Sequence, residues 1–393
     1  MKPLLRRLLI LVLLWGAVSG VYSVAQIARI SPEATFSLIT DAPGDALYMA
    51  FGHSAIRLRD SAQNLDVVFN YGTFDFDEPN FYLKFARGKL RYALSDAYFS
   101  QYVRKPIPAY TEQLLLLSPS QKELLFRFLW LNIQEDNRWY AYDFFYDNCA
   151  TRIRDALVQV CGDSLVFPVR EADKSFRDLL HEYLRVHPWM ELGIDVVLGL
   201  PADRVATSDQ QMFLPDYLSE SFEGATLNGA PLAGEKVFLS GSSEDWMPKT
   251  PFPWPLLVGW LVLLSGLFLT LRRCAAGLIW FDRVFFFLVG LVGLIIFFLW
   301  FCTEHAAAKN NLNLFWAFPW HLVAAFLLHR KPLPAWASMG FRVSAVSALA
   351  LLCGWAFLPQ NLHEALIPVV LLVLLRSVML AWPDLVRRIF CSR

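Results

Sequence analysis

Cysteine is scarce in this chain and never closely paired. Its six cysteines, Cys149, Cys161, Cys274, Cys302, Cys353 and Cys391, are scattered through 393 residues with no CxxC pair, which argues against a zinc site. Charge is thin as well: 18% of residues are charged, and Lys+Arg and Asp+Glu both number 35. The basic excess that marks a nucleic-acid-binding domain is missing, and no stretch resembles a nucleic-acid motif. Internal repeats and low-complexity tracts are missing too, which argues against a solenoid or a long disordered linker.

What the chain does have is apolar surface. It is 56% hydrophobic and 15% aromatic, with a mean hydropathy of +0.39. That is too apolar for an ordinary soluble protein and too mixed for a bare membrane bundle, so a soluble part joined to a membrane part is expected. Residues 1–25 read as a signal peptide or N-terminal anchor: a basic start through Arg6 and Arg7, an apolar run from Leu8, and small residues around Ser23 and Ala25. Either form carries the next segment of chain across the membrane.

Residues 26–250 then form the exported domain. Thr35–Thr40, His53–Arg59 and Asp66–Tyr71 read as strands, the last two joined in a hairpin by the turn-rich Asp60–Asn64. Ser118-Pro-Ser-Gln121 opens a helix with an apolar face through Leu124, Leu125, Phe128 and Leu129. A second helix begins near Cys149, and others are expected around 175–200. Strands followed by helices predict an α+β fold. Residues 251–393 form an all-α membrane domain with five expected spans, near 254–271, 279–301, 312–328, 343–358 and 365–382. Arg272, Arg273, Arg283, Arg330, Lys331, Arg342, Arg387, Arg388 and Arg393 mark the inner side. Five spans with an inner C-terminus put the preceding domain outside, in agreement with the export signal.

The chemistry centres on two segments, Phe51-Gly-His-Ser-Ala-Ile-Arg57 and Asp143-Phe-Phe-Tyr-Asp-Asn-Cys-Ala-Thr-Arg152. A thiol attacks as its thiolate, and a helix N-terminus lowers its pKa. Asp147 and Asn148 are capping residues, which places Cys149 in a first helical turn beside N–H groups suited to an oxyanion. Read alone, the segment also fits a buried structural cysteine. A Cys149–Cys161 disulfide is allowed by spacing, although a nucleophile at Cys149 and a buried apolar site for Cys161 fit better. His53, opening a strand after Gly52, is the candidate base. Asn70 at the end of the next strand could orient its ring, and it equally suits a turn before Tyr71-Gly72.

The order His, Asn, Cys reverses that of papain and is similar to the permuted papain-like, NlpC/LRAT-like fold. Gly52–Arg57, Phe69–Phe76, Phe85–Leu90, Tyr142–Arg152 and the membrane segment Asn311–His321 together resemble the Lnb lipoprotein N-acyltransferase family, over nearly the whole chain. The resemblance implies that Cys149, with His53 as base, takes an acyl chain from a membrane phospholipid and hands it to the α-amino group of a diacylated lipoprotein. It implies no metal or organic cofactor, and a site facing the outer side of a bacterial inner membrane. The same residues also suit an acyl group moving within one lipoprotein.

Other candidates for substrate contact are Tyr71, Asn148, Arg87 and Lys89 (the last two in a basic set with Lys84 and Arg91), and His305 and His321, which flank the Asn-rich outer loop. Arg376, inside the fifth span, requires a partner or a polar cavity. His181, His187 and His363 read as surface residues. Two other functions remain open at this point: a membrane-anchored Cys/His peptidase or amidase acting on cell-wall peptide, and a non-enzymatic assembly factor with a structural Cys149.

Overall fold

A computed structural model describes residues 29–104, 107, 109–171, 173–241, 251–272, 275–330 and 332–383. The expected signal or anchor segment lies outside the described residues, as do Arg273, Cys274, Lys331, Arg387, Arg388, Cys391 and Arg393.

The described residues from 29 to 241 are organised by one large antiparallel sheet. Its strands are β1 (Thr35–Asp41), β2 (His53–Asp60), β3 (Leu65–Thr73), β4 (Arg91–Tyr98), β5 (Tyr110–Leu115), β6 (Trp139–Ala141) and β10 (Val237–Ser240), in the order β10-β5-β1-β2-β3-β4-β6. A small second sheet holds β7 (Leu165–Val166), β8 (Thr226–Leu227) and β9 (Ala230–Pro231). The expected hairpin is present. Asp60 caps a short 3-10 turn by accepting from the Gln63 N–H, and Asn64 takes the left-handed conformation at φ 52° that an asparagine tolerates.

Period-two alternation decides which way the sheet packs. Register sets Phe36 opposite Leu58, Leu38 opposite Ile56 and Ile56 opposite Phe69, and these side chains bury together under two helices. Those helices are α2 (Pro119–Asn132) and α3 (Cys149–Cys161), numbered after the short α1 (Phe81–Ala86). Ser118 and Gln121 form the expected capping box of α2. Its buried stripe runs through Leu125, Phe126 and Leu129 while Leu124 stays exposed, because α2 packs on α3 as well as on the sheet. Arg57 points to the other side of β2, where it is held by Asp66 at 2.7 Å and Glu112 at 3.1 Å and covers the Phe99 ring.

Helices α4 (Phe176–Leu184), α5 (Pro188–Val197) and α6 (Pro215–Gly224) come next, and α4 and α5 connect the sheet domain to the apolar helices. At their centre Arg177 is fully buried, bound to Asp195 at 2.7 Å and Asp203 at 2.9 Å. His181 also bonds Asp195, at 3.0 Å, so it belongs to this buried cluster and departs from the surface role expected of it. His363 likewise has a local task, accepting from the Ala365 N–H. Replacing Arg177 by Met strands two buried carboxylates, and thermal unfolding should register a loss of roughly 3 kcal/mol.

The second half contains α7 (Trp254–Leu271), α8 (Ala275–Phe301), α9 (Trp320–Leu327), α10 (Ala335–Gly354) and α11 (Leu366–Ala381). Among the described residues three helical stretches are long and apolar enough to cross a bilayer: Trp254–Leu271, Ala276–Phe301 and Ala335–Phe357. The last begins earlier than the 343 read from the sequence. The expected run at 312–328 is broken instead into a 3-10 turn, Leu312–Phe315, and the eight-residue α9. Pro319 precedes α9, and the segment presses so tightly on α8 that a Cβ at Gly293 would overlap the Ala317 carbonyl oxygen. The fifth run, α11, has 16 residues. Arg376 on it finds its partner in Asp282 of α8, 2.7 Å from each of two guanidinium nitrogens, and also donates to the Thr270 hydroxyl at 3.0 Å.

Side-chain amides tie the two halves together. Asn311 donates to the Val196 carbonyl at 2.8 Å, Asn313 to that of Asp195 at 3.2 Å and Gln360 to that of Leu198 at 2.9 Å. These satisfy the carbonyls at the C-terminal end of α5, which its helix leaves without partners. The Asn-rich loop is thus a docking element for the sheet domain.

Candidate active site

Cys149 is the first residue of α3, and its neighbour Asn148 fixes that placement. The Asn148 side-chain Oδ1 accepts from the Ala150 and Thr151 N–H groups at 2.9 Å each, while its NH2 group donates to the carbonyls of Phe144 at 2.9 Å and Phe213 at 2.8 Å. All of that side chain's capacity goes into positioning the helix, which leaves none for substrate and corrects the expectation placed on Asn148. The same bonds take the Thr151 N–H and leave the Ala150 N–H shared between Asn148 and the Cys149 thiol, so the backbone donor left for an oxyanion is that of Cys149 itself. Asp147 turns to Arg152, with bonds of 2.6 and 2.8 Å.

His53 reaches the same point from the sheet. Gly52 precedes it at φ +70°, where an added Cβ would stand 2.6 Å from the Asp41 carbonyl oxygen, so only glycine allows the chain to enter β2 there. The β2–β3 ladder stops at Ile56–Phe69, and a bulge shifts the β3–β4 register between Asn70 and Thr73. The opened strand ends carry His53 and Asn70. His53 Nε2 donates to Asn70 Oδ1 at 2.5 Å, which leaves Nδ1 for the thiol. The expected trio is therefore assembled in one place.

Burial pushes the Cys149 thiol up, but the charge and hydrogen bond of His53, with the N–H groups of Ser54 and Ala150, outweigh it and hold the thiol below its ordinary value. A thiolate stabilised by an adjacent imidazolium is a ready nucleophile. Cys161, in contrast, lies at the far end of the 13-residue helix, about 18 Å away at 1.5 Å per residue. Both cysteines are free, which removes the disulfide alternative, and burial raises the Cys161 thiol.

Tyr140 and Tyr142 enclose the Cys149 side chain. An added Cβ at Gly72 would stand 3.7 Å from the Tyr142 ring, 3.8 Å from Cys149 Cβ and 3.9 Å from the Tyr140 hydroxyl, so these groups surround one small opening. Burial raises the pKa of both Tyr140 and Tyr142, and the nearby Cys149 adds to it; both remain protonated donors. The Tyr140 hydroxyl is buried and has no hydrogen-bond partner among the described residues, while the Arg152 guanidinium lies 3.6 Å over its ring. A buried donor kept unpaired beside a nucleophile is suited to an oxyanion that forms only during reaction. Sequence reading missed Tyr140 and Tyr142. The available signal was the aromatic run Trp139–Tyr146 just before Cys149, but β6 spans only three residues and shows no period.

The other candidates lie elsewhere. Tyr71 is buried in the core beneath the site, edge-on to Tyr140. His305 Nε2 lies 3.1 Å from the Phe85 carbonyl and Lys89 pairs with Glu304 at 3.2 Å, so both join the sheet domain to the outer end of α8. Arg87 is exposed on α1's C-terminal side, and its carbonyl accepts from Glu304. His321 is fully buried among the apolar helices, bonded to the Ser344 hydroxyl at 2.8 Å and packed on Phe286 and Trp320. Enclosed there, it does not meet the outer loop's surface as expected. No metal-binding cluster of His, Cys, Asp or Glu occurs among the described residues.

A Cys–His–Asn constellation on a sheet domain, joined to strongly apolar helices, defines a membrane-anchored protein with a thiol site. Family models sharpen this: residues 26–175 match the Lnb N-terminal periplasmic domain and residues 247–387 the Lnb transmembrane domain. The chain belongs to the Lnb family. Its membership indicates a membrane-anchored protein with a periplasmic part and suggests lipoprotein N-acylation at the family level. Neither a curated protein nor a solved structure matches the chain.

Proposed function

We propose that the protein is a lipoprotein N-acyltransferase of the bacterial inner membrane in which Cys149 carries the acyl chain as a thioester. The observation that supports this most directly is the depressed thiol of Cys149 against His53, itself held by Asn70. In the first step the thiolate attacks an ester carbonyl of a membrane phospholipid. The C–S bond forms, the ester C–O bond breaks, and the His53 imidazolium gives its proton to the departing lysophospholipid alkoxide. In the second step the α-amino group of a lipoprotein's diacylglyceryl-cysteine attacks the thioester. The C–N bond forms, neutral His53 takes the amine proton, and the C–S bond breaks to restore the thiolate–imidazolium pair. The Cys149 N–H and the Tyr140 hydroxyl serve both tetrahedral oxyanions.

We read the periplasmic domain as a permuted papain-like fold, supported by a nucleophile at a helix N-terminus against a sheet whose adjacent strands supply base and orienting amide, in the order His53, Asn70, Cys149. All five apolar runs are taken to span the membrane, the third in broken form. Tethering the site beside two membrane-anchored substrates raises their effective concentration.

The test supplies the purified full-length protein with a phospholipid carrying a 13C-labelled acyl chain and an unlabelled diacylated lipopeptide. Label on the lipopeptide α-nitrogen is the expected product. An N-acylated lipopeptide without label would point to transfer within one lipoprotein, and no N-acylation would reject the reading. Replacing Tyr140 by Phe should slow transfer about 10²-fold, the typical loss for one oxyanion donor, with unfolding temperature unchanged.

A further inference from the structure

The short helix α1 and Phe76 in the loop before it present apolar side chains to the outside. Phe76 is 69% exposed, Tyr82 80%, Leu83 57% and Phe85 52%. The position of α1 is fixed at the outer end of α8. The Glu304 N–H donates to the Arg87 carbonyl at 2.9 Å, His305 meets the Phe85 carbonyl, and Gly88 lies against the backbone of both residues. The last two turns of α8 expose Phe297 and Phe301, and α8 is long and apolar enough to cross a bilayer, so α1 is attached at the end of an apolar helix of spanning length. Two of the surrounding charges are already neutralised, Lys84 by Glu78 and Lys89 by Glu304. The Arg87 guanidinium is exposed and has no acidic partner among the described residues.

Aromatic rings connect this surface to the nucleophile. Phe85 stacks on Phe81 at 6.4 Å, Phe81 meets Phe74 at 5.7 Å, Phe74 meets Tyr92 at 5.5 Å and Tyr92 stacks on Tyr142 at 4.4 Å. Tyr142 and Cys149 then flank the same opening over Gly72. Phe81 is buried at 8% exposure, Phe85 and Phe74 on either side of it are exposed, and Tyr92 and Tyr142 are half-buried. Phe74, Phe76 and Phe85 pack on the buried Phe81 and expose their own rings, an apolar surface suited to a flexible hydrocarbon chain.

We propose that α1 is immersed in the outer leaflet and that the series Phe85–Phe81–Phe74–Tyr92–Tyr142 is the path by which a phospholipid acyl chain leaves the bilayer for Cys149. This rests on the acyltransferase reading for its last step only; immersion and lipid contact stand apart from it.

Two measurements on the full-length protein in phospholipid vesicles test it. In the first, a phospholipid with a photoactivatable diazirine in its acyl chain is cross-linked and the adducts mapped. Label on the peptide containing Phe74–Phe85 is expected, and label confined to α7–α11 would overturn the path. In the second, the exposed residues are replaced together, Phe76→Ser, Leu83→Ser and Phe85→Ser, and acylation of Cys149 is followed with two donors. At least a 10-fold loss with vesicle phospholipid, and wild-type acylation by a short water-soluble ester, is the expected pattern. Equal rates with vesicle phospholipid would overturn the path, and so would an equal loss with both donors, since the side chains would then serve the site's own structure. If the wild type is acylated by neither donor, the acyltransferase reading fails, and the cross-link map still decides whether α1 contacts lipid.

Discussion

Replacing Cys149 by alanine should leave the protein folded and reduce acyl transfer by about 10⁴-fold or more, the scale seen when a covalent nucleophile is removed. The helix start does not depend on the sulfur. Asn148 and Thr151 cap each other through side chain and backbone, and Ala150, Ile153, Ala156 and Leu157 keep α3 in the core. Alanine retains the Cβ and deletes one buried sulfur, so unfolding temperature should stay within a few degrees of wild type. Transfer rate and unfolding temperature, measured on the same preparation, check this directly. A non-enzymatic assembly factor with a structural cysteine predicts the reverse pattern, with function kept and stability lowered.

The second large effect concerns His53. Its replacement by alanine removes both the charge that holds the thiol down and the group that shuttles the proton, and a loss of about 10³-fold is expected, the middle of the range for general acid–base catalysis. The pH dependence carries the sign. In the wild type the thiol lies below its ordinary value, so thiolate persists at pH values where a free cysteine is protonated, and reactivity falls only as pH drops through that depressed value. In His53→Ala burial remains and its counterweight is gone, so the thiol moves up. Residual reactivity should then climb with pH through the ordinary thiol range, where the wild type is level. Alkylation of Cys149 by iodoacetamide across pH reads this without lipid substrates. A variant with the wild-type profile would remove His53 from the site.

Much of this arrangement was legible in the sequence because it rests on local signals. The His53–Asp60 and Leu65–Thr73 hairpin follows from alternation and from the turn residues between them, the α2 cap from Ser118 and Gln121, and the start of α3 from Asn148 before Cys149. The meeting of His53 with Asn70 could be named as a candidate but not demonstrated, since it depends on where the β2–β3 ladder ends and on the bulge at Tyr71–Gly72. Those are properties of three strands together. Tyr140 was invisible for the same reason: its importance lies in an unpaired hydroxyl, which only packing creates.

In the membrane half the apolar runs were legible and their packing was not. Hydropathy counts apolar residues and cannot see that Leu312–Leu328 is divided by Pro319 and drawn into contact with Gly290 and Gly293 of α8. It also cannot pair Arg376 with Asp282, 94 positions away in sequence. Asn148 was misjudged because its four hydrogen bonds include one to Phe213, far along the chain. His321 was placed by its nearness to the outer loop, whereas the broken helix carries it inward against Ser344.

The proposed chemistry depends on a covalent step at one sulfur. Full-length protein in vesicles of a single phospholipid, without lipoprotein acceptor, should be analysed by mass spectrometry for the Cys149 peptide. The predicted result is a mass increase equal to that phospholipid's acyl chain, removed by neutral hydroxylamine and missing in Cys149→Ala. An unmodified Cys149 in folded protein, under conditions where added diacylated lipopeptide becomes N-acylated, would contradict the thioester mechanism.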